Sequence, residues 1–338
     1  MPPDVAPNHQ VHAAPPRTVL LTGATGFVGR AAYDAMTAAG WAVRCMTRDA
    51  GRAARQWPGR TWVSADVADE AATTRALEGC DRACYFVHGM AGGGAAFRQT
   101  EVAQATAFRR AAERTGVRRI VYLGGVAPAH DPSEHLRSRL EVGDTLRAGS
   151  VSTVELRASM IIGYGSLSWL IVRDLAARLP LMVLPRWLKS RTQPIAIDDI
   201  VAALLGALDL PLPGSACFDV PGPEVLSGRD ILERTAAALG LRAPIMIEVP
   251  VLSPKLSSHW VRFVTRADWT VAREVVLGLE HDLLATDDRF WALIGHRDRL
   301  PFADAARRAI AEEQRHGRIS GPWGLVERVM KTMAEGRP

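Results

Sequence analysis

Thr22-Gly23-Ala24-Thr25-Gly26-Phe27-Val28-Gly29 lies between the apolar run Val19-Leu20-Leu21 and an alanine-rich stretch, and no other part of the chain narrows its fold so far. Strand, glycine turn and helix in that order build a seat for a pyrophosphate. The first glycine permits the sharp turn out of the strand and the second removes a side chain where backbone meets phosphate. The third lets helix and sheet pack closely. The helix N-terminus adds unpaired N–H groups and the positive end of a dipole. Phe27, Val28, Ala31, Ala32, Ala35, Met36 and Ala39 repeat with helical period, and Gly40 stops the run.

The 338-residue chain is 48% hydrophobic, enough for one large α/β domain with a smaller lobe. Cys45, Cys80, Cys84 and Cys217 have no metal-site spacing and no accompanying histidine cluster, so they are expected to be reduced thiols in a cytoplasmic protein, with no metal bound. Residues 1–16, rich in proline and alanine, lack the basic start and apolar stretch of a signal peptide and are expected to be a disordered leader. No later segment has the apolar length of a membrane span. The formal charge of +5 comes from arginines scattered among acidic neighbours, with no basic stripe interleaved with aromatics. Nucleic acid is therefore not an expected partner.

Strands are predicted at Val19–Thr22, Ala42–Thr47, Thr61–Ser64, Ala83–Val87, Ile120–Leu123 and Thr153–Leu156, separated by helical stretches that include Ala95–Thr115 and Leu136–Arg147. Such alternation calls for a Rossmann-type, doubly wound parallel sheet over residues 17–163, with ligands bound beyond the carboxyl ends of the strands. After Gly163 longer apolar helices alternate with short extended pieces at Gln193–Ile197, Phe218–Val220 and Ile245–Val249. Residues 164–338 are expected to form mainly a smaller α+β substrate lobe and C-terminal helices, with 191–208 returning to the first domain. Ser227 is placed to cap the helix that begins near Asp230. Trp169, Trp187, Trp260, Trp269, Trp291 and Trp323 fall in this half, for core packing or for lining an apolar pocket. Leu325, Val326, Val329, Met330 and Met333 form one face of a final helix, expected to dock on its own domain in preference to a membrane surface.

The glycine spacing, the strand-ending Asp66-Val67 and the Leu156-Arg157-Ala158 to Gly163 segment resemble the short-chain dehydrogenase/reductase superfamily, in its atypical, extended-like branch. Tyr85-Phe86-Val87-His88-Gly89-Met90, Pro185-Arg186-Trp187, Arg191-Thr192-Gln193-Pro194-Ile195-Ala196 and Gly278-Leu279-Glu280-His281-Asp282-Leu283-Leu284 are similar to the bacterial YbjT-type NAD(P)-binding proteins. The resemblance runs over nearly the whole chain beyond Arg17. It implies a phosphate turn of Gly23, Thr25, Gly26, Phe27, Val28 and Gly29, an adenine contact at Asp66 and Val67, and a ribose contact at Val87 and His88. A carboxylate near the end of the second strand suits NAD, whereas a guanidinium suits the 2′-phosphate of NADP. Arg48 stands there, Arg30 follows the last glycine, and the two are expected to flank that phosphate, so NADP is expected over NAD. The alternative is a solvated Arg48 with Asp49 holding the ribose.

The superfamily's chemistry uses a tyrosine, a lysine four residues later and a serine or threonine at the end of the fifth strand. No Tyr-x-x-x-Lys occurs in this chain. The aligned stretch is His135-Leu136-Arg137-Ser138-Arg139, and the serine position falls in Gly124-Gly125. Either His135 transfers the proton with Arg139 fixing the ribose, or no proton donor has been kept, since Arg139 pushes His135 toward its neutral form. Tyr164, in a segment the resemblance brings near the nicotinamide, is a further donor candidate, with packing as its alternative role. His281-Asp282 resembles a base and its orienting carboxylate, but sequence neighbours on a helix point apart and a surface or interlobe role is preferred. The expectation is an NADP(H)-dependent oxidoreductase acting on an apolar carbonyl or enone, a small-molecule partner. The alternatives are a non-catalytic NADP(H)-binding sensor or assembly protein and a nucleotide-sugar-type epimerase or dehydratase.

Overall fold

A computed structural model of the chain describes residues 17–89, 95–126, 128, 132–185, 189–249, 265–266, 281–316, 324, 327, 329 and 332. In chain order the first half contains β1 (Thr18–Leu21), α1 (Phe27–Ala38), β2 (Ala42–Thr47), α2 (Ala50–Gln56), β3 (Thr61–Ser64) and α3 (Glu70–Leu77). β4 (Arg82–Tyr85), α4 (Ala95–Thr115), β5 (Arg119–Gly125), α5 (Glu134–Arg147) and β6 (Ser152–Ala158) follow. Next come β7 (Ile161–Ile162), α6 (Leu167–Arg178), β8 (Leu181–Pro185), β9 (Arg191–Thr192), β10 (Ile195–Ala196) and α7 (Ile197–Asp209). The described elements end with β11 (Ala216–Asp219), β12 (Leu226–Ser227), α8 (Gly228–Ala238), β13 (Ile245–Val249), α9 (Arg289–Leu293) and α10 (Phe302–His316).

Seven strands form one sheet in the order β11-β6-β5-β4-β1-β2-β3, and every pairing in it is parallel. Parallel neighbours need crossovers, which the helices supply on both faces. The alternation of side chains along β1 shows how the layers are filled. Val19 and Leu21 pack with Met36 of α1 and with Ile200, Leu204 and Leu208 of α7, while Leu20 points the other way, among Phe108 of α4 and Leu146 of α5. Each such fully buried side chain contributes about 1.5–3 kcal/mol. The order of strands reverses between β1 and β4, so a crevice opens beyond their carboxyl ends.

The piece at Phe218–Val220, expected in the second lobe, belongs to this sheet: β11 is its edge strand, paired with β6. A short edge strand buried on one side reads like any isolated extended piece, and only its partner shows where it belongs. Within the stretch expected to be extended from Gln193 to Ile197, only Ile195–Ala196 is a strand, β10 paired with β7; β9, which pairs with β12, ends just before it at Thr192, and α7 already starts at Ile197.

Beyond the sheet Trp169, Ile231, Phe302 and Ala306 pack together, and Ser227 caps α8 in a reciprocal capping box with Asp230. Trp291 is also buried, its indole N–H donating to the Pro221 carbonyl at 3.2 Å. The other four tryptophans named above, and Leu325, Val326, Met330 and Met333, lie outside the described residues. A chain of ion pairs ties α6 to α10, Glu327 and Arg266. Arg173 of α6 reaches Glu313 of α10 (2.9 Å) and Glu327 (2.6 Å), Arg178 reaches Glu327 (3.0 Å), and Arg266 pairs with Asp174 (2.7 Å). Arg178 and Asp174 have fully buried side chains. Among the described residues no helix is long and apolar enough to cross a membrane.

Candidate active site

At the carboxyl end of β1, Thr22 ties two strands together. Its hydroxyl donates to the Cys84 carbonyl (3.0 Å) and accepts from the Phe86 N–H (2.9 Å). Gly23 follows with φ +63°, in the left-handed region, and a Cβ there would stand 2.6 Å from the Phe86 carbonyl oxygen. At Gly29 a Cβ would stand 2.2 Å from the Gly23 oxygen. No side chain larger than hydrogen fits, so the first turn of α1 lies directly on the β1 turn. Gly26, the N-cap, supplies no side-chain acceptor to the helix. The first N–H groups of α1 therefore face the crevice without an intrachain acceptor from their cap, which suits an anion. Thr25 and Gly26 are exposed and Phe27 and Val28 half-buried around this cradle.

The residues expected along the adenosine end are spread over the ends of β2 and β3. Arg48 is exposed, and among the described residues its guanidinium has no hydrogen bond or ion pair. Its neighbour Asp49 caps α2, accepting the Arg52 N–H at 2.8 Å. Asp66 is exposed and accepts the Ala68 N–H (2.9 Å), while Val67 is buried. Arg30 is half-buried. Its Nη2 lies where a Cβ on Gly165, in the turn after β7, would approach to 2.9 Å, and α1 packs against α7.

Tyr164, a donor candidate with packing as its alternative role, makes a packing contact. Its turn does pass the cradle, since a Cβ on Gly163 would stand 2.9 Å from Phe27 Cζ. The Tyr164 ring, however, stacks on His316 of α10 with centroids 4.8 Å apart. Asp282 pairs with Arg191 (2.7 Å), and exposed His281 is a separate surface residue.

At the ends of β4 and β5 the structure assembles a cluster. His88 Nε2 is 2.8 Å from His135 Nε2, and His88 Nδ1 is 3.1 Å from Glu101 Oε2. Glu101 also accepts the Gly89 N–H (2.7 Å) and the Ser138 hydroxyl (2.7 Å). Burial alone would raise the Glu101 carboxyl, but the hydrogen bonds from His88, Gly89 and Ser138 outweigh it and hold the group below its usual range. Burial, then the Arg139 guanidinium, lowers His88 against the opposing pull of Glu101. The same two causes, followed by His88, bring His135 down to about 3. Half-buried Val87 leads into this cluster from β4.

Glu101 and Ser138 were not among the candidates drawn from sequence. A signal for Glu101 existed: it lies four residues before Ala105 and seven before Phe108, on the buried face of α4, where a carboxylate needs partners. Gly124 and Gly125 are set by packing, since a Cβ would come within 3.0 Å of Glu155 Oε1 at the first and 3.1 Å of Leu136 Cδ2 at the second. Glu155, fully buried and paired with Arg157 (2.8 Å) and Arg147 (3.1 Å), fills the space beside the position of the absent serine. Arg139 packs its stem along Gly125, and its Nε is buried without a hydrogen-bond partner in the described structure. A side-chain-free cradle under an uncapped helix end and an orphaned guanidinium N–H across the crevice together fit a dinucleotide.

Residues 23–176 match a family model described as NAD(P)H-binding. The chain carries an NAD(P)H-binding domain. No curated protein matches the chain. Among solved structures, gox2253 is similar at 19% identity over 90% of this chain and all of its own, with a TM-score of 0.68. WbmH of Bordetella bronchiseptica, solved in complex with NAD+, is 16% identical over 89% of this chain and 99% of its own, with a TM-score of 0.65. UDP-glucose 4-epimerase of Thermotoga maritima, solved with UDP-glucose, is 12% identical over 88% of this chain and 99% of its own, also at 0.65. At these identities the likeness is one of fold.

Proposed function

We propose that the chain is an NADP(H)-dependent oxidoreductase of the atypical short-chain dehydrogenase/reductase kind, acting on the carbonyl or enone group of an apolar small molecule. The observation that carries the cofactor preference is the division of labour at the end of β2. Asp49, the carboxylate that could hold a ribose 2′-hydroxyl, is engaged in capping α2, while the Arg48 guanidinium beside it faces solvent. A 2′-phosphate satisfies that guanidinium with charge-assisted hydrogen bonds. Gly23, Gly26 and Gly29 seat the pyrophosphate, the α1 N-terminus supplies N–H groups to it, and the Arg139 Nε–H is available to the nicotinamide ribose. The bound cofactor supplies hydride transfer; the chain supplies position and a proton route. His135, at the position the superfamily gives to its tyrosine, is the group closest in kind to a proton carrier. A cytoplasmic location goes with this reading, with Cys45, Cys80, Cys84 and Cys217 all free thiols.

Titration of the purified protein with NADPH and NADH tests the proposal. NADPH is expected to bind more tightly, and Arg48→Ala to weaken it by about 10- to 100-fold while leaving NADH unchanged. Equal affinity for the two cofactors, or an Arg48→Ala variant that keeps the preference, overturns it. Tight binding without transfer of deuteride from labelled NADPH to any of a broad panel of aldehydes, ketones and enones would instead favour the sensor reading, for which the low basicity of His135 is the supporting observation.

A further inference from the structure

β8 and β13 form a two-stranded parallel sheet outside the main one, with Leu181 opposite Ile245 and Val183 opposite Ile247. Side chains alternate between the faces of such a pair. Met182 and Met246 take the inner face, packing with Ala176 of α6 and with Leu232 and Ala236 of α8. On the other face Leu181 is 53%, Ile245 66% and Ile247 50% exposed. Among the described residues the other exposed large hydrophobics are Val225, Leu293 and Val329, so half of the set shares one face two strands wide. Strands that meet solvent are ordinarily guarded by charged side chains. Here every position in phase with Leu181 and Ile245 is apolar, namely Val183, Pro185, Ile247 and Val249, and Glu248, the one acid in either strand, falls out of phase with them. Contiguous apolar surface of this kind marks a docking site.

We infer that this face docks on an anionic lipid surface, with Leu181, Ile245 and Ile247 entering the boundary between headgroups and acyl chains. Two observations select lipid over protein. The first is extent, since a stable interface between proteins takes about 20 to 30 residues a side, whereas an interfacial anchor needs a small apolar face beside cations. The second is charge. Arg242, three residues before Ile245, is exposed and makes no ion pair or hydrogen bond among the described residues. The strands are parallel and Pro185 lies opposite Val249, so the chain leaves both of them at the same end. The sequence that follows, 186–190 and 250–262, holds Arg186, Lys189, Lys255 and Arg262 with Trp187 and Trp260, and no carboxylate. Cations draw a protein to anionic lipid, and tryptophan is favoured at the level of the headgroups. The inference goes beyond the oxidoreductase reading and does not depend on it.

Flotation of the full-length protein with vesicles tests it, comparing phosphatidylcholine alone with phosphatidylcholine containing about 30% phosphatidylglycerol. The protein is expected to float with the mixed vesicles and to remain behind with phosphatidylcholine alone. Raising the salt from about 0.1 to 1 M should release it as the screening length shortens. Ile245→Asp/Ile247→Asp should lower the partition coefficient by about tenfold or more with an unchanged circular dichroism spectrum. If that double variant does not fold, Arg242→Glu decides, with an expected weakening of about fivefold. Absence of binding to the mixed vesicles overturns the inference, as does undiminished binding by the folded double variant or, where that does not fold, by Arg242→Glu. A dimer in sedimentation velocity that the double variant converts to monomer would give the face to a second copy and overturn the lipid assignment. The vesicles contain no cofactor, so failure of the NADP reading would leave the flotation result standing.

Discussion

The two ends of the crevice are made of different material. At the β1 end the ligand surface is backbone, shaped by what Gly23 and Gly29 lack, and everything in it comes from eight consecutive residues. At the β4 and β5 end it is side chains, with Glu101, His88, His135 and Arg139 arriving from three separate elements. A backbone seat is intolerant of any added atom but indifferent to the identity of distant residues. A side-chain cluster tolerates small displacements, yet its charge state depends on every member. Damage to the first should therefore abolish binding outright, and damage to the second should show as a change in proton affinity.

The largest effect tests the first half of that contrast. In Gly29→Val a Cβ must be accommodated where the Gly23 oxygen lies 2.2 Å away and the Ala24 Cα 2.9 Å away, so α1 has to leave the turn. NADPH binding, followed by fluorescence titration, should vanish, with a loss of about 1–3 kcal/mol in urea unfolding. Retained binding would show that the cradle is not backbone-defined. The second prediction concerns the cluster. His135 is held down at about 3 against an ordinary 6.5, by burial, then Arg139, then His88. The unfolded chain thus binds a proton before the folded one does. The stability tied to neutral His135 is complete above pH 6.5 and is lost as the pH falls from there toward 3. His135→Gln should flatten that decline between pH 7 and 5 in urea midpoints, and an unchanged slope would remove the cluster's dependence on charge. The smallest effect is at Asp49. If it is a cap, Asp49→Ala costs about 1 kcal/mol and leaves NADH affinity alone. A collapse of NADH binding would make it a ribose ligand and undo the assignment of Arg48.

Local patterns announce the backbone seat because every constraint on it is local. Ala42–Thr47, Thr61–Ser64 and Ala95–Thr115 were legible to the residue for a related reason, their periodicity being intact from end to end. β11 was assigned to the wrong part of the molecule because four residues carry no record of their partner strand. The cluster was half visible. His135, Arg139 and His88 could be singled out, but the Glu101 carboxylate that sets their protonation is on another helix, brought within 3.1 Å of His88 by the fold alone. Arg30 and Tyr164 have the same limit, since side-chain direction at the end of a helix or in a turn is decided by neighbours such as Gly165 and His316.

Arg173 and Arg178 of α6 are buried, and their counter-charge at Glu327 follows Arg178 by 149 residues. During synthesis these two guanidinium groups leave the ribosome long before that carboxylate exists. Asp174 on the same helix pairs with Arg178 (3.1 Å) and Arg173 (3.4 Å), but one carboxylate leaves the two buried cations with an excess of positive charge until Glu313 and Glu327 arrive. The order of translation thus imposes an order of assembly, in which the charge on α6 is balanced only once Glu313 of α10 and Glu327 have been made.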